Sequence, residues 1–273
     1  MGRNGGRCRS RRPRDWVGPV VALAAGLGLV LEALPASGAV SAPREVRYRV
    51  VHTYPHDTTA FTEGLIWQGN FLYESTGLFG ASTLRRVDLQ TGAVLQMVAS
   101  PPDEFGEGLA LADRDRLAQL NLDTNHGFVY DRQTFAVVGE FHYDTAGWGL
   151  ASMGDQLVMS DGSDRLTFLD PDTFQPVGTL SVTFAGEPLG NLNELEFIRG
   201  EIWANVFPTD RIVRINPRTG KVTSFLDLSR IVPPGVVPAA GDVPNGIAYD
   251  RATNRIFVTG KRWPSLFQIR VRG

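Results

Sequence analysis

Residues 61–67 read FTEGLIW and residues 105–111 read FGEGLAL: twice an aromatic, a spacer, a carboxylate, a glycine and an apolar run. Sliding the chain against itself yields further copies of the second half of this pattern. EGLIW begins at 63, EGLAL at 107, WGLAS at 148, NELEF at 193 and NGIAY at 245, so the steps are 44, 41, 45 and 52 residues. Repeats of that length characterise propeller blades. A second register runs in parallel, with DLQTG at 88, DRQTF at 131, DPDTF at 170 and NPRTG at 216. Each follows a strand-like run (STLRRV, HGFVY, RLTFL, RIVRI), and its Asp or Asn opens a tight turn. Between the two registers lie FLYESTG, RLAQLNL, QLVMSDG, EIWANVF and RIFVTGK, so each repeat supplies about four short strands rich in β-branched and aromatic residues. Five such repeats predict an all-β fold, a five-bladed β-propeller. The fifth repeat stops at LFQIRVRG without its turn and outer strand. EVRYRVVHTY, residues 45–54, is expected to supply that strand and close the ring, leaving no edge on the last blade.

The beginning of the chain has another character. Six arginines in the first 14 residues precede the apolar stretch WVGPVVALAAGLGLVL and the small residues of PASGA. This predicts a signal peptide over residues 1–39, with a periplasmic or secreted propeller over 40–273. A single-pass anchor is the alternative, disfavoured by an apolar run too short to span a bilayer comfortably, and SRRPRDW hints at twin-arginine export. Without the first 39 residues the chain keeps 21 Lys and Arg against 27 Asp and Glu, a net charge of −6. An acidic domain is a poor nucleic-acid partner. Cys8 is the only cysteine, so the exported part has neither a disulfide nor thiolate chemistry. Its four histidines, His52, His56, His126 and His142, form no HxxH or HExxH pair, which argues against a zinc hydrolase.

Innermost propeller strands line the central channel, so the residues that open them sit at a channel mouth. Glu63, Glu107, Trp148, Asn193 and Asn245 share that position in the five repeats, and the glycine that follows in four of them lets backbones crowd near the axis. Three readings of this ring are open. The polar residues cap the channel through hydrogen bonds; or Glu63, Glu107, Asn193 and Asn245 cage a divalent cation, as in lactonase-type propellers; or one glutamate is a general acid or base beside an aromatic wall. Trp148 favours the last, because an indole adds nothing to an oxygen cage and would raise a neighbouring carboxylate's pKa.

The chain resembles the plant and bacterial type of glutaminyl-peptide cyclotransferase. The resemblance rests on FTEGL, YESTGLFGASTLRRVDLQTG, FGEGL, GFVYDRQTF, GWGL, SDGS, LNELEFI, GEIWAN, NGIAYD and RIFVTGKRWPSLFQI, in order from about Val51 to Ile269. It implies a five-bladed propeller that turns N-terminal glutamine into pyroglutamate and releases ammonia, without cofactor or metal. It also implies that Glu107 shuttles the proton, that Glu63 and Asn193 hold the substrate amine and amide, that Lys261 serves the oxyanion, and that Phe61 and Trp148 wall the glutamine side chain. Some relatives carry Gln in place of Glu63. Lys261 and Lys221 are the only lysines in a chain that otherwise uses Arg, which suits a site wanting a compact charge; an ordinary solvated cation on a loop is the plain alternative. Glu196 is expected to be a structural partner of the site strand. The chain departs from the family pattern at Leu122 and Phe207, where relatives place Trp, and this predicts weaker substrate binding. The implied partners are peptides or proteins with N-terminal Gln, and no membrane once the signal is cleaved; a monomer is expected. The rival readings are a metal-dependent lactonase-like hydrolase and a propeller that only binds peptides.

Overall fold

The computed structural model describes residues 42–237 and 241–272. The signal-peptide expectation for residues 1–39 therefore lies outside the described residues. Among them there is no α-helix, only one short 3-10 turn at Ser229–Ile231, and no helix long and apolar enough to cross a membrane.

The chain enters through β1 (Arg44–Glu45) and β2 (Tyr48–Pro55) and then builds five antiparallel sheets. Blade one is β3 (Thr62–Gln68), β4 (Phe71–Thr76), β5 (Thr83–Val87) and β6 (Val94–Ala99). Blade two is β7 (Gly106–Leu111), β8 (Arg116–Asn121), β9 (His126–Asp131) and β10 (Val137–His142). Blade three is β11 (Leu150–Met153), β12 (Gln156–Ser160), β13 (Arg165–Leu169) and β14 (Pro176–Ser181), followed by the small hairpin β15 (Thr183–Phe184) and β16 (Glu187–Pro188). Blade four is β17 (Leu192–Ile198), β18 (Glu201–Val206), β19 (Arg211–Ile215) and β20 (Val222–Asp227); blade five is β21 (Pro244–Asp250), β22 (Arg255–Gly260) and β23 (Ser265–Val271).

The missing outer strand comes from the N-terminal segment, as its sequence predicts. β2 pairs antiparallel with β23 from Tyr48 opposite Val271 to Pro55 opposite Ser265. The segment also does something the pattern did not announce: β1 pairs in parallel with β20 of blade four, through Arg44 opposite Ser224 and Glu45 opposite Phe225. One short stretch of chain thus covers the outer edges of two blades and removes both as aggregation templates.

The apolar residues gather into five clusters, one at each blade interface. Ile66, Tyr73 and Leu84 meet Leu109, Phe128 and Tyr130 between blades one and two. Between blades five and one, Ala248, Phe257 and Leu266 meet Leu65, Leu72 and Val87, with Tyr54 of the closing strand in the same cluster. The last blade is therefore cemented to the first as the others are to their neighbours.

The turn register behaves as read. Asp88, Asp131 and Asp170 each accept backbone N–H bonds from the residues two and three further on and a hydroxyl bond from the Thr three further on. Side-chain acceptors of this kind substitute for ladder partners at the turn and fix where each hairpin ends.

Candidate active site

The inner strands approach one another so closely that the repeated glycine is obligatory. A Cβ on Gly64 would lie 2.5 Å from Leu109 N, one on Gly108 2.4 Å from Leu150 N, and one on Gly149 2.0 Å from Asn193 O. Gly246 combines a tight fit with φ of +114°, open to glycine and costly to other residues. In blade four the glycine position holds Glu194 instead. Its carboxylate accepts N–H bonds from Leu65 at 3.2 Å and Ile247 at 2.8 Å, clasping the inner strands of blades one and five. Both N–H groups belong to innermost strands, just past the register shift between Thr62 and Gly64 and at the end of the one between Pro244 and Ile247. Glu194 is 1% exposed, so burial pushes its carboxyl well above the usual range. Glu194 is one structural glutamate of this strand. Glu196, expected to be a structural partner, lies toward the other end of the strand and likewise accepts backbone bonds, from Phe197 N at 2.8 Å and from Tyr249. There it lines a cavity of about 540 Å³ with Arg114 and Arg251, and burial pushes its carboxyl up to about 8.

At the mouth from which the inner strands start, the predicted residues converge. Glu63 is 1% exposed, and its Oε1 accepts a bond from Lys261 Nζ at 2.7 Å. Its Oε2 accepts from Asn245 Nδ2 at 3.1 Å, while the same Nδ2 reaches Thr62 O at 2.9 Å. Glu107, Asn193 and Lys261 are buried with it. Glu107 interacts directly with Glu63, and burial, reinforced by the Glu63 charge, pushes its carboxyl well above the usual range. Burial raises Glu63 as well, but Lys261 opposes that directly. Of the two, Glu107 is therefore the one that binds a proton more tightly. Three acceptors in this ring, Glu107 Oε2, Asn193 Oδ1 and Asn245 Oδ1, are buried without a hydrogen-bond partner among the described residues.

Lys261 is no solvated loop cation. Its Nζ lies 4.6 Å from the centre of the Phe61 ring and 5.5 Å from that of Phe207, so the ammonium is held by a carboxylate and two aromatic faces. The sequence around it explains how it is placed. Trp263 is fully buried, and a Cβ on Gly260 would strike its indole at 2.3 Å, so the glycine makes room for the anchor. Lys261 N bonds to Val243 O at 3.0 Å and Arg262 N to Ala60 O at 2.7 Å, tying this loop to the entrances of blades five and one. Behind it, His56 Nδ1 lies 2.7 Å from Trp263 O and His56 Nε2 lies 2.9 Å from Glu74 Oε1, which also accepts from Thr62 Oγ1 at 2.7 Å. A histidine between a carbonyl and a carboxylate donates from both nitrogens as the cation, and the Glu74 charge with its hydrogen bond raises His56 against the pull of burial.

Trp148 occupies the register position assigned to it, just outside β11. Its indole packs on Gly162, whose added Cβ would lie 2.8 Å away, and meets Phe207 edge-on at 6.0 Å. The shift on Glu107 comes first from burial and then from the Glu63 charge. Phe61 meets Phe105 at 6.2 Å, edge to face. Phe105 was open to detection, since it stands in FGEGL where Phe61 stands in FTEGL. Glu63, one of the oxygens of the cation-cage reading, is already paired with the Lys261 cation at 2.7 Å. Among the described residues, no three His, Cys, Asp or Glu side chains are grouped to hold a metal.

A closed five-bladed propeller with a buried carboxyl pair, a buried lysine and unpartnered acceptors at one mouth is the framework of an enzyme using acid-base chemistry on a small polar group. The family described as glutamine cyclotransferase matches residues 21–271. A glutaminyl-peptide cyclotransferase of Arabidopsis thaliana is 43% identical over 228 residues, 82% of this chain and 71% of that protein. The crystal structure of Myxococcus xanthus glutaminyl cyclase superposes with a TM-score of 0.78 at 37% identity, over 84% of this chain and 98% of that one. The chain belongs to the glutamine cyclotransferase family.

Proposed function

We propose that the protein cyclises the N-terminal glutamine of peptides or proteins to pyroglutamate, with Glu107 as the proton shuttle. The carrying observation is the carboxyl oxygen Glu107 Oε2, buried without a partner among the described residues, as Asn193 Oδ1 is. Buried acceptors cost free energy unless a donor meets them, and an α-amine with a side-chain amide brings several N–H donors. In the reaction the amine nitrogen forms a bond to the side-chain amide carbon, and the bond from that carbon to the amide nitrogen breaks. Glu107 takes a proton from the attacking amine and returns one to the departing nitrogen, which leaves as ammonia. A carboxyl raised toward neutrality serves both halves of this exchange. The developing oxyanion draws on the fixed positive charge of Lys261, held in place by Glu63 at 2.7 Å. Phe61, Trp148 and Phe207 supply apolar walls; at Phe207 and Leu122 smaller side chains stand where the family resemblance implies Trp.

The test is to incubate the protein with a peptide beginning in Gln and follow ammonia and the loss of the free N-terminus. Stoichiometric release, insensitive to exhaustive chelation and absent with an N-acetylated copy, is expected. Release that disappears on chelation would instead support the hydrolase reading. Binding of the peptide with no turnover would support the binding-module reading.

A further inference from the structure

We infer that Phe79 forms a subsite for the second residue of the substrate and gives the protein a preference for a large apolar, above all aromatic, side chain there. The inference rests on the cyclase reading above. Three rings descend in a line from the surface to the catalytic lysine. Phe79 is 58% exposed, a large apolar side chain left facing water. It meets Phe105 edge-on at 5.4 Å, Phe105 meets Phe61 at 6.2 Å, and Phe61 lies 4.6 Å beneath Lys261 Nζ. Phe61 and Phe105 are half-buried, so accessibility rises outward along the line.

The loop that displays Phe79 is pre-formed. It joins β4 to β5 on the mouth from which the inner strands start, in the position that the Lys261 loop holds in blade five. Leu78, the residue before it, is in the left-handed region at φ 89°, an uncommon conformation for a bulky residue. Ser82 Oγ donates to Leu78 O at 2.9 Å and accepts from Gly106 N at 2.9 Å. The same hydroxyl therefore fixes this turn and fastens it to the strand that carries Glu107. Strain held by such contacts at a site's rim is a mark of function rather than of chance.

A substrate must enter amine first, with its first residue between Glu107 and Lys261. Its second Cα lies about 3.8 Å further along the chain, so the second side chain is at the rim, where Phe79 and Phe105 offer adjoining faces. Offset or edge-to-face aromatic contacts add to simple burial.

The test compares kcat/KM for three C-terminally amidated tripeptides, Gln-Phe-Ala, Gln-Gly-Ala and Gln-Asp-Ala, in the wild type, Phe79→Ala and Phe79→Tyr. The wild type is expected to prefer Gln-Phe-Ala over Gln-Gly-Ala by about fivefold to tenfold. Phe79→Ala is expected to reduce this ratio to about twofold or less, with Phe79→Tyr restoring it. Equal rates for the three peptides in the wild type, or full discrimination in Phe79→Ala, would overturn the subsite while leaving the cyclase reading intact. No ammonia from any of the peptides would overturn both.

Discussion

Glu107 and Glu63 show how one residue type takes two roles from its surroundings. Lys261 touches Glu63 and draws it toward the ionised state, while Glu107 keeps the burial penalty and the repulsion of its neighbour. A carboxyl with a raised pKa binds a proton more tightly in the folded chain than in the unfolded one. Its effect on stability is therefore absent at low pH and becomes a growing cost as the pH rises above the ordinary 4.5. Glu107→Gln removes that cost. The variant should melt higher than the wild type at pH 8, by about 2–4 °C per kcal/mol recovered in a chain of this size, and the gap should close at pH 5. Calorimetry at the two pH values checks this; an equal or lower melting temperature at pH 8 would mean that Glu107 is ionised and compensated. The ring of residues to which Glu107 belongs was legible because the repeat fixed the register. The pairing within it was not, since nothing in a linear pattern says which of two glutamates the lysine will reach.

Among elements, the loop carrying Lys261 depends on a buried pair behind it, His56 with Glu74, whose side chains are 4% and 2% exposed. The histidine comes from the turn after the closing strand and the glutamate from β4, so the pair also pins the N-terminal segment to blade one. The pKa of His56 is raised, and its contribution is whole below about 6.5 and fades as the pH climbs through the folded value. Glu74 is lowered by His56, and its contribution is present above 4.5 and fades as the pH falls. Replacing His56 by Gln leaves Glu74 buried without its cation and should cost on the order of 3 kcal/mol. Chemical denaturation should show the largest loss near pH 6 and a smaller one as the pH rises; a loss that is the same at pH 6 and pH 10 would show that His56 is neutral in the fold. The pairing was not visible in the sequence, where nothing links His56 to the Glu74 of YESTG. The glycines were visible, but the reason for the exception was not. Glu194 reads as one more acidic residue in NELEF until the fold brings the N–H groups of Leu65 and Ile247, on two other inner strands, to face it.

For the molecule as a whole, closure is the decisive feature. The five interface clusters form a ring with no free end, and the closing strand contributes Tyr54 to one of them. The repeat count and the truncated fifth repeat made this architecture legible, because a propeller needs the same four strands in every blade. The parallel pairing of β1 with blade four escaped the sequence because two residues make no periodicity. Deleting the chain through Pro55 exposes the edges of β23 and β20 together and should lower the melting temperature or drive aggregation. A truncated protein that melts with the parent would place the seal of the ring elsewhere.

In the proposed reaction Glu107 moves the proton from the attacking amine to the departing nitrogen. The most direct measurement is the turnover of a Gln-initiated peptide by Glu107→Gln beside the wild type, with folding of both verified by circular dichroism. Glutamine keeps the size of the side chain and removes its basicity, so ammonia release should fall by roughly a hundredfold or more with the fold intact. Turnover equal to the wild type would contradict the account.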